Sequence, residues 1–154
     1  MEKTLKMRCP FFSNMEEIPE KYTCYGDNVN PPLLISGVPR EAQTLLLIVD
    51  DPDTPNGEIF THWFVYDIPV TTKKIPENSV PAGAKTGPNT LGKAEYIGPC
   101  PPSGTHRYFF KLYALKTYIE LAEDLTKEDV ITLIEDLIVD HCEFVGLCKH
   151  KEFK

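Results

Sequence analysis

Leu45-Leu46-Leu47-Ile48-Val49 is an unbroken apolar run that stops at Asp50-Asp51-Pro52. Five apolar residues between breakers predict a buried strand rather than a helix. Asn56-Gly57 then predicts a turn. A second strand is predicted over residues 61–68, where alternation sets His62, Phe64, Tyr66 and Ile68 on one face. A third is predicted over residues 106–115. It carries His106, Tyr108, Phe110, Leu112 and Ala114 on one face and Arg107, Phe109, Lys111 and Tyr113 on the other. Both strands open with a histidine followed on the same face by apolar groups. If those faces line one core, both histidines sit at its mouth.

Residues 70–105 break this rhythm. They hold six of the 14 prolines and five of the nine glycines, and only Glu95-Tyr96-Ile97 looks strand-like. Connections this long are uncommon in compact domains and are often functional. Near the C-terminus Thr126-Lys127-Glu128-Asp129 resembles a capping box, with Asp129 in the place of the usual Glu. Val130, Ile131, Ile134, Leu137, Ile138 and His141 follow at helical spacing, which puts His141 at a helix end, near the negative pole of its dipole. A last short strand is predicted over residues 143–148.

Composition narrows the function classes. At 154 residues the chain is expected to be a single domain spanning 1–154. Proline at nearly twice its usual share of about 5% argues against a helical bundle and for strands joined by fixed turns. A net charge of −7 argues against nucleic-acid binding, which needs a basic stripe. The charge is local: residues 118–143 carry nine acids against one base, while residues 1–117 are nearly balanced. No run reaches the ~20 apolar residues of a membrane span, and residues 1–8 show no secretory signal pattern. No lipidation signal or basic amphipathic helix predicts stable membrane insertion. Five cysteines without a CxxC predict reduced thiols and a cytoplasmic protein, although the same chain fits a mature secreted form.

Three patterns carry candidate chemistry. Asp51-Pro52-Asp53-Thr54-Pro55 holds two carboxylates in a fixed, non-helical geometry. His62-Trp63 opens a strand. Gly98-Pro99-Cys100-Pro101-Pro102-Ser103-Gly104-Thr105-His106-Arg107-Tyr108 is a stiff turn feeding a strand. Each alone has a bland structural reading; an Asp before Pro, for example, is usually a turn former. Their order and spacing, with Lys111-Leu112-Tyr113-Ala114-Leu115 after them, resemble the phosphatidylethanolamine-binding protein family. That family is also called Raf kinase inhibitor-like, and the compact length is similar to its bacterial and archaeal branch. The resemblance runs from Phe11-Phe12 to Val145-Gly146.

The resemblance implies a mainly β fold, a Greek-key β-sandwich of two antiparallel sheets with a peripheral C-terminal helix. It also implies a small pocket for an anion or phosphorylated head group. Carried over by position, its residues are Asp51, Asp53, His62, His106 and Tyr108, with Pro55 and the Gly98-Pro99 backbone as the rim. Two imidazoles and a phenol can donate to phosphate oxygens. The carboxylates can hold the imidazoles oriented and protonated, or accept from the ammonium of a phosphoethanolamine-like ligand. Arg107 points to the opposite strand face and is expected in a structural ion pair. Cys100 is expected to be a passive rim residue.

The leading reading is therefore a non-enzymatic binding protein, with no cofactor and no metal. It would be a modulator or inhibitor of a partner such as a kinase or protease. Trp63 stands where eukaryotic members often carry a second histidine, which argues against kinase regulation of the eukaryotic kind. The alternative is a hydrolase of phosphoesters or esters, using Asp51, Asp53, His62 and His106 as an acid–base or metal-binding set. Neither G-x-S-x-G nor H-E-x-x-H is present to support it. Whether the chain pairs into a homodimer is left open by the sequence.

Overall fold

The computed structural model describes residues 3–119 and 127–152. Among these residues nine strands form two sheets. The smaller sheet joins β1 (Lys6–Arg8), β3 (Leu33–Ser36) and β6 (Lys74–Ile75), with β3 in the middle. The larger sheet runs in the order β2 (Glu16–Glu17), β9 (Ile138–Lys149), β8 (Thr105–Leu115), β4 (Thr44–Asp51), β5 (Phe60–Ile68), β7 (Lys85–Thr86). All pairings are antiparallel except that of β2 with β9. One short helix, α1 (Lys127–Ile134), precedes β9. The mainly β, two-sheet architecture expected from the sequence is present.

The apolar run beginning at Leu45 is explained by its place. β4 lies between β8 and β5, and all eight of its residues are buried. Leu45, Leu47 and Val49 pack with Leu33, Ile35 and Ile75 of the smaller sheet. Leu46 and Ile48 pack with Phe64 and with Val130 and Ile134 of α1. Neither face meets water, so the strand shows no polar alternation. β8 keeps the predicted alternation: His106, Tyr108, Phe110, Leu112 and Ala114 are all buried, and the residues between them are exposed or half-buried.

The predicted face of β5 is broken. His62, Phe64, Tyr66 and Ile68 do not share one side. The β4–β5 register slips twice, between Val49 and Asp50 and between Leu45 and Leu47. At the first slip Trp63 pairs with Val49 but Thr61 pairs with Asp50, leaving His62 as an extra residue. Such a bulge puts two consecutive residues against one and resets the alternation. Phe64 and Tyr66 therefore pack toward α1, while Trp63, Val65 and Ile68 pack toward the smaller sheet. The second slip contains Asp67, whose backbone is left-handed at φ 53°.

Two further expectations change. Glu95-Tyr96-Ile97 forms no strand; the ladder residues of the 70–105 segment are instead the two-residue β6 and β7 and, at its end, Thr105 of β8. The C-terminal helix ends at Ile134 and passes through a 3-10 turn, Glu135–Leu137, into the strand. His141 thus lies in β9 opposite Tyr113, with its Nε2 3.3 Å from Lys3 Nζ, and not at a helix end. The β-branched pair Ile138-Val139 suits the strand, and pairing with eleven residues of β8 outweighs the helical periodicity. Thr126 of the expected capping box lies outside the described residues.

Candidate functional site

The C-terminal end of β4 delivers Asp51 into the Pro52–Pro55 turn, and the adjacent start of β8 brings His106 beside it. His106 Nδ1 lies 2.7 Å from Asp51 Oδ2, with both side chains buried. Asp51 Oδ1 accepts from the backbone N–H of Asp53 at 2.7 Å, the local bond expected of an Asx turn. Tyr108, two residues on and on the same strand face, sets its ring 5.1 Å from that of His62, edge to face.

The bulge in β5 is what points His62 here. Its Nδ1 donates to Ile97 O at 2.7 Å, and its own carbonyl accepts from Ile97 N–H at 2.9 Å. The rim segment from Tyr96 to Pro102 is thereby tied to β5. Its other side is tied to the segment Tyr22 to Asn28. Gly98 N–H donates to Asn28 Oδ1, Tyr96 O–H to Tyr22 O, and Cys24 N–H to Pro99 O. Gly98 is required there, because a Cβ would stand 2.8 Å from Tyr22 O.

A disulfide joins Cys24 to Cys100 across 76 residues, with the Cα atoms 5.4 Å apart. This corrects the expectation of five reduced thiols and of a passive Cys100. The odd count and the missing CxxC hid a pair that only the fold brings together. Cys9, Cys142 and Cys148 remain thiols. Burial pushes the pKa of Cys142 and of Cys148 up to about 11, so neither is a ready nucleophile.

These elements enclose a cleft of about 240 Å³. Of the residues expected at the site, Asp51, Pro55, His62, Gly98, His106 and Tyr108 line it. Asp53 and Pro99 do not. The Asp53 carboxylate accepts from Arg107 Nε at 2.9 Å, from an Arg107 terminal nitrogen at 2.8 Å and from the Arg107 backbone N–H at 2.8 Å. The guanidinium holds Asp53 below the usual carboxylate range, against the opposing effect of burial. Asp53 and Arg107 thus lock the turn onto β8. The Pro99 carbonyl is taken by Cys24. Sequence reasoning left out Phe60, Ile97, Pro101 and Pro102, which complete the apolar wall. The Pro101-Pro102 stiffness was a usable signal; nothing in the sequence marks Ile97.

The polar inventory of the cleft is short. Every fully buried side-chain nitrogen and oxygen among the described residues has a hydrogen-bond partner. No protein partner within those residues takes His62 Nε2, His106 Nε2 or the Tyr108 hydroxyl, so these three atoms open into the cleft. Burial lowers the pKa of His62; the Ile97 bond and the charges of Asp51 and Asp50 act the other way and do not offset it. Burial and then the Asp51 charge raise the pKa of Tyr108, so its hydroxyl stays a donor. No carboxylate hydrogen-bonds His62, since Asp51 bonds His106 and Asp53 bonds Arg107, so a carboxylate orients only one of the two imidazoles. Among the described residues no group of three His, Cys, Asp or Glu side chains is arranged to hold a metal ion.

Comparison with known proteins bears on the whole chain. The model of the family described as phosphatidylethanolamine-binding protein matches residues 9–149. A protein of Methanothermobacter thermautotrophicus named UPF0098 is 42% identical over 148 residues, covering 93% of this chain and 97% of that one. Among solved structures, a phosphatidylethanolamine-binding protein homolog from Chlamydia trachomatis superposes with a TM-score of 0.91 at 35% identity, covering 97% of this chain and all of that one. Escherichia coli YbcL, described as a new member of the mammalian family, gives 0.88 at 29% identity over 96% of this chain and 99% of its own.

Proposed function

This chain belongs to the phosphatidylethanolamine-binding protein family, and on that premise we propose that it is a binding protein whose cleft takes a small phosphate-type anion. The observation that carries the reading is the convergence of His62 Nε2, His106 Nε2 and the Tyr108 hydroxyl on one cleft, none of them spent on a protein partner. A polar group in an apolar wall is costly unless something bonds to it, and a ligand oxygen can do so for all three.

The apolar wall of Phe60, Ile97, Pro101 and Pro102 lowers the local dielectric and strengthens those bonds. Asp51 orients His106 and supplies the negative charge that an ammonium group of a zwitterionic ligand would meet. Titrating inorganic phosphate or phosphoethanolamine at several pH values tests the reading. Affinity should fall as pH rises from about 5 to 8, as phosphate loses its second proton. A flat profile would contradict it.

The wider role proposed is modulation or inhibition of a partner protein, a kinase or a protease, at the surface that carries the cleft. A pull-down against such enzymes with and without phosphate addresses it. One observation favours a second reading, hydrolysis. The buried Asp51–His106 pair is an imidazole oriented by a carboxylate, the arrangement of a general base. The cleft offers no free nucleophile to go with it: Cys100 is in a disulfide, and Thr54 Oγ1 is bonded to Asn56 Oδ1 and the Glu58 carbonyl. A phosphatase and esterase screen, repeated on His106→Ala, separates the two readings.

A further inference from the structure

We infer that the cleft selects oxyanions that still carry a proton, because His62 presents a lone pair and not an N–H to the ligand. This rests on the anion-binding reading and specifies which anion. A carbonyl oxygen can only accept, so the 2.7 Å contact of His62 Nδ1 with Ile97 O places the ring proton on Nδ1. In the neutral ring Nε2 is then an acceptor, and it is Nε2 that opens into the cleft.

The surroundings keep the ring neutral. On the β4 side the carboxylate of Asp51 is committed to His106 Nδ1 and to the Asp53 N–H, and Asp50 is bonded to Thr61 Oγ1 and lies 3.7 Å from Lys111 Nζ. From β8 come His106 and the phenol of Tyr108; from β5 comes the Phe60 ring, 4.7 Å away; from the rim come the Ile97 backbone, Gly98, Pro101, Pro102 and the disulfide, none of them ionisable. No carboxylate hydrogen-bonds His62. Its own burial lowers its pKa, which agrees with the geometry.

A ligand oxygen facing a lone pair must bring its own hydrogen. The monoanion of phosphate or of a phosphate monoester has a P–O–H that can donate to His62 Nε2, while its bare oxygens accept from Tyr108 O–H. Sulfate has no such proton near neutral pH. The cleft should discriminate accordingly.

Calorimetric titrations at pH ~6, where about half of a phosphate monoester still carries its second proton, test this with three probes. Methyl phosphate has the proton. Dimethyl phosphate is a monoanion without it, and sulfate is a dianion without it. Methyl phosphate should bind, with dimethyl phosphate and sulfate weaker by about tenfold or more, the cost of setting an acceptor against an acceptor. In His62→Gln the amide can turn either N–H or C=O to the ligand, and the gap should shrink to a few-fold. Equal affinity for all three probes in the wild-type protein, or an unchanged gap in His62→Gln, would overturn the inference and leave the anion site standing. Binding of none of them would overturn both.

Discussion

His106 Nδ1 donates to Asp51 Oδ2 at 2.7 Å within a wall where both side chains are buried. The bond fixes the ring's orientation and sends Nε2 into the cleft. It also makes the two residues unequal targets for mutation. His106→Ala strands a buried carboxylate and is expected to cost about 3–5 kcal/mol. Asp51→Asn keeps one acceptor oxygen, loses one of two bonds, and should cost about 1 kcal/mol. Urea unfolding of the two variants checks the order; a larger loss for Asp51→Asn would contradict it.

Tyr108→Phe separates binding from stability. The hydroxyl bonds no described protein group, so its removal should leave the unfolding midpoint unchanged or slightly raised. Phosphate affinity should fall by the worth of one neutral hydrogen bond, about 0.5–1.5 kcal/mol, which is roughly two- to tenfold. Calorimetry paired with thermal melting measures both. A stability loss without an affinity loss would assign the hydroxyl a structural role.

The Cys24–Cys100 bond closes a loop of 76 residues that contains β3 to β7. Reduction, or the double change Cys24→Ser with Cys100→Ser, should lower stability by about 2–4 kcal/mol. It should also weaken phosphate binding, since Cys100 lines the cleft. Thiol titration of the unfolded protein should give three groups before reduction and five after, from Cys9, Cys142 and Cys148 plus the pair. Five before reduction would contradict the assignment.

Asp140 ties the residues leading into β1 to β9. Its Oδ2 accepts from the N–H groups of Thr4 and Leu5, each at 2.9 Å, and its Oδ1 from His141 N–H at 2.8 Å. Burial alone would raise its pKa; the bonds from Leu5, Thr4 and His141 outweigh it and hold the carboxyl below its ordinary value. A depressed folded-state pKa contributes stability above the unfolded-state value of about 3.9. That contribution is lost as pH falls through the folded-state value. Asp140→Asn should therefore be less stable than wild type at pH 7, and the difference should close below about pH 4. A difference constant with pH would contradict the charge-based account.

What the sequence made legible follows from what kind of interaction sets each feature. β4, β5 and β8 could be placed because apolar runs and alternation are local. The face of β8 holds over its length because its pairing with β4 has no slip. The face of β5 could not be read, because a bulge is a property of the β4–β5 pairing and not of β5 alone. The same limit hid the partner of Cys100, the two-residue strands β6 and β7, and the point where Ile138 leaves the helix. Six of the eight expected site residues line one cleft because their motifs sit at strand ends that the sheet order makes adjacent. Asp53 was drawn away by Arg107, a competition for one carboxylate that spacing does not reveal.

The central claim is that a phosphate-type anion contacts His62, His106 and Tyr108 together. Proton–nitrogen correlation spectra of the four histidine rings during a phosphate titration test it most directly. Saturable shifts are expected at Nε2 of His62 and His106, with His141 and His150 unmoved, and Tyr108→Phe should weaken the phosphate dependence of both. No shift at saturating phosphate, or equal drift at all four histidines, would contradict it.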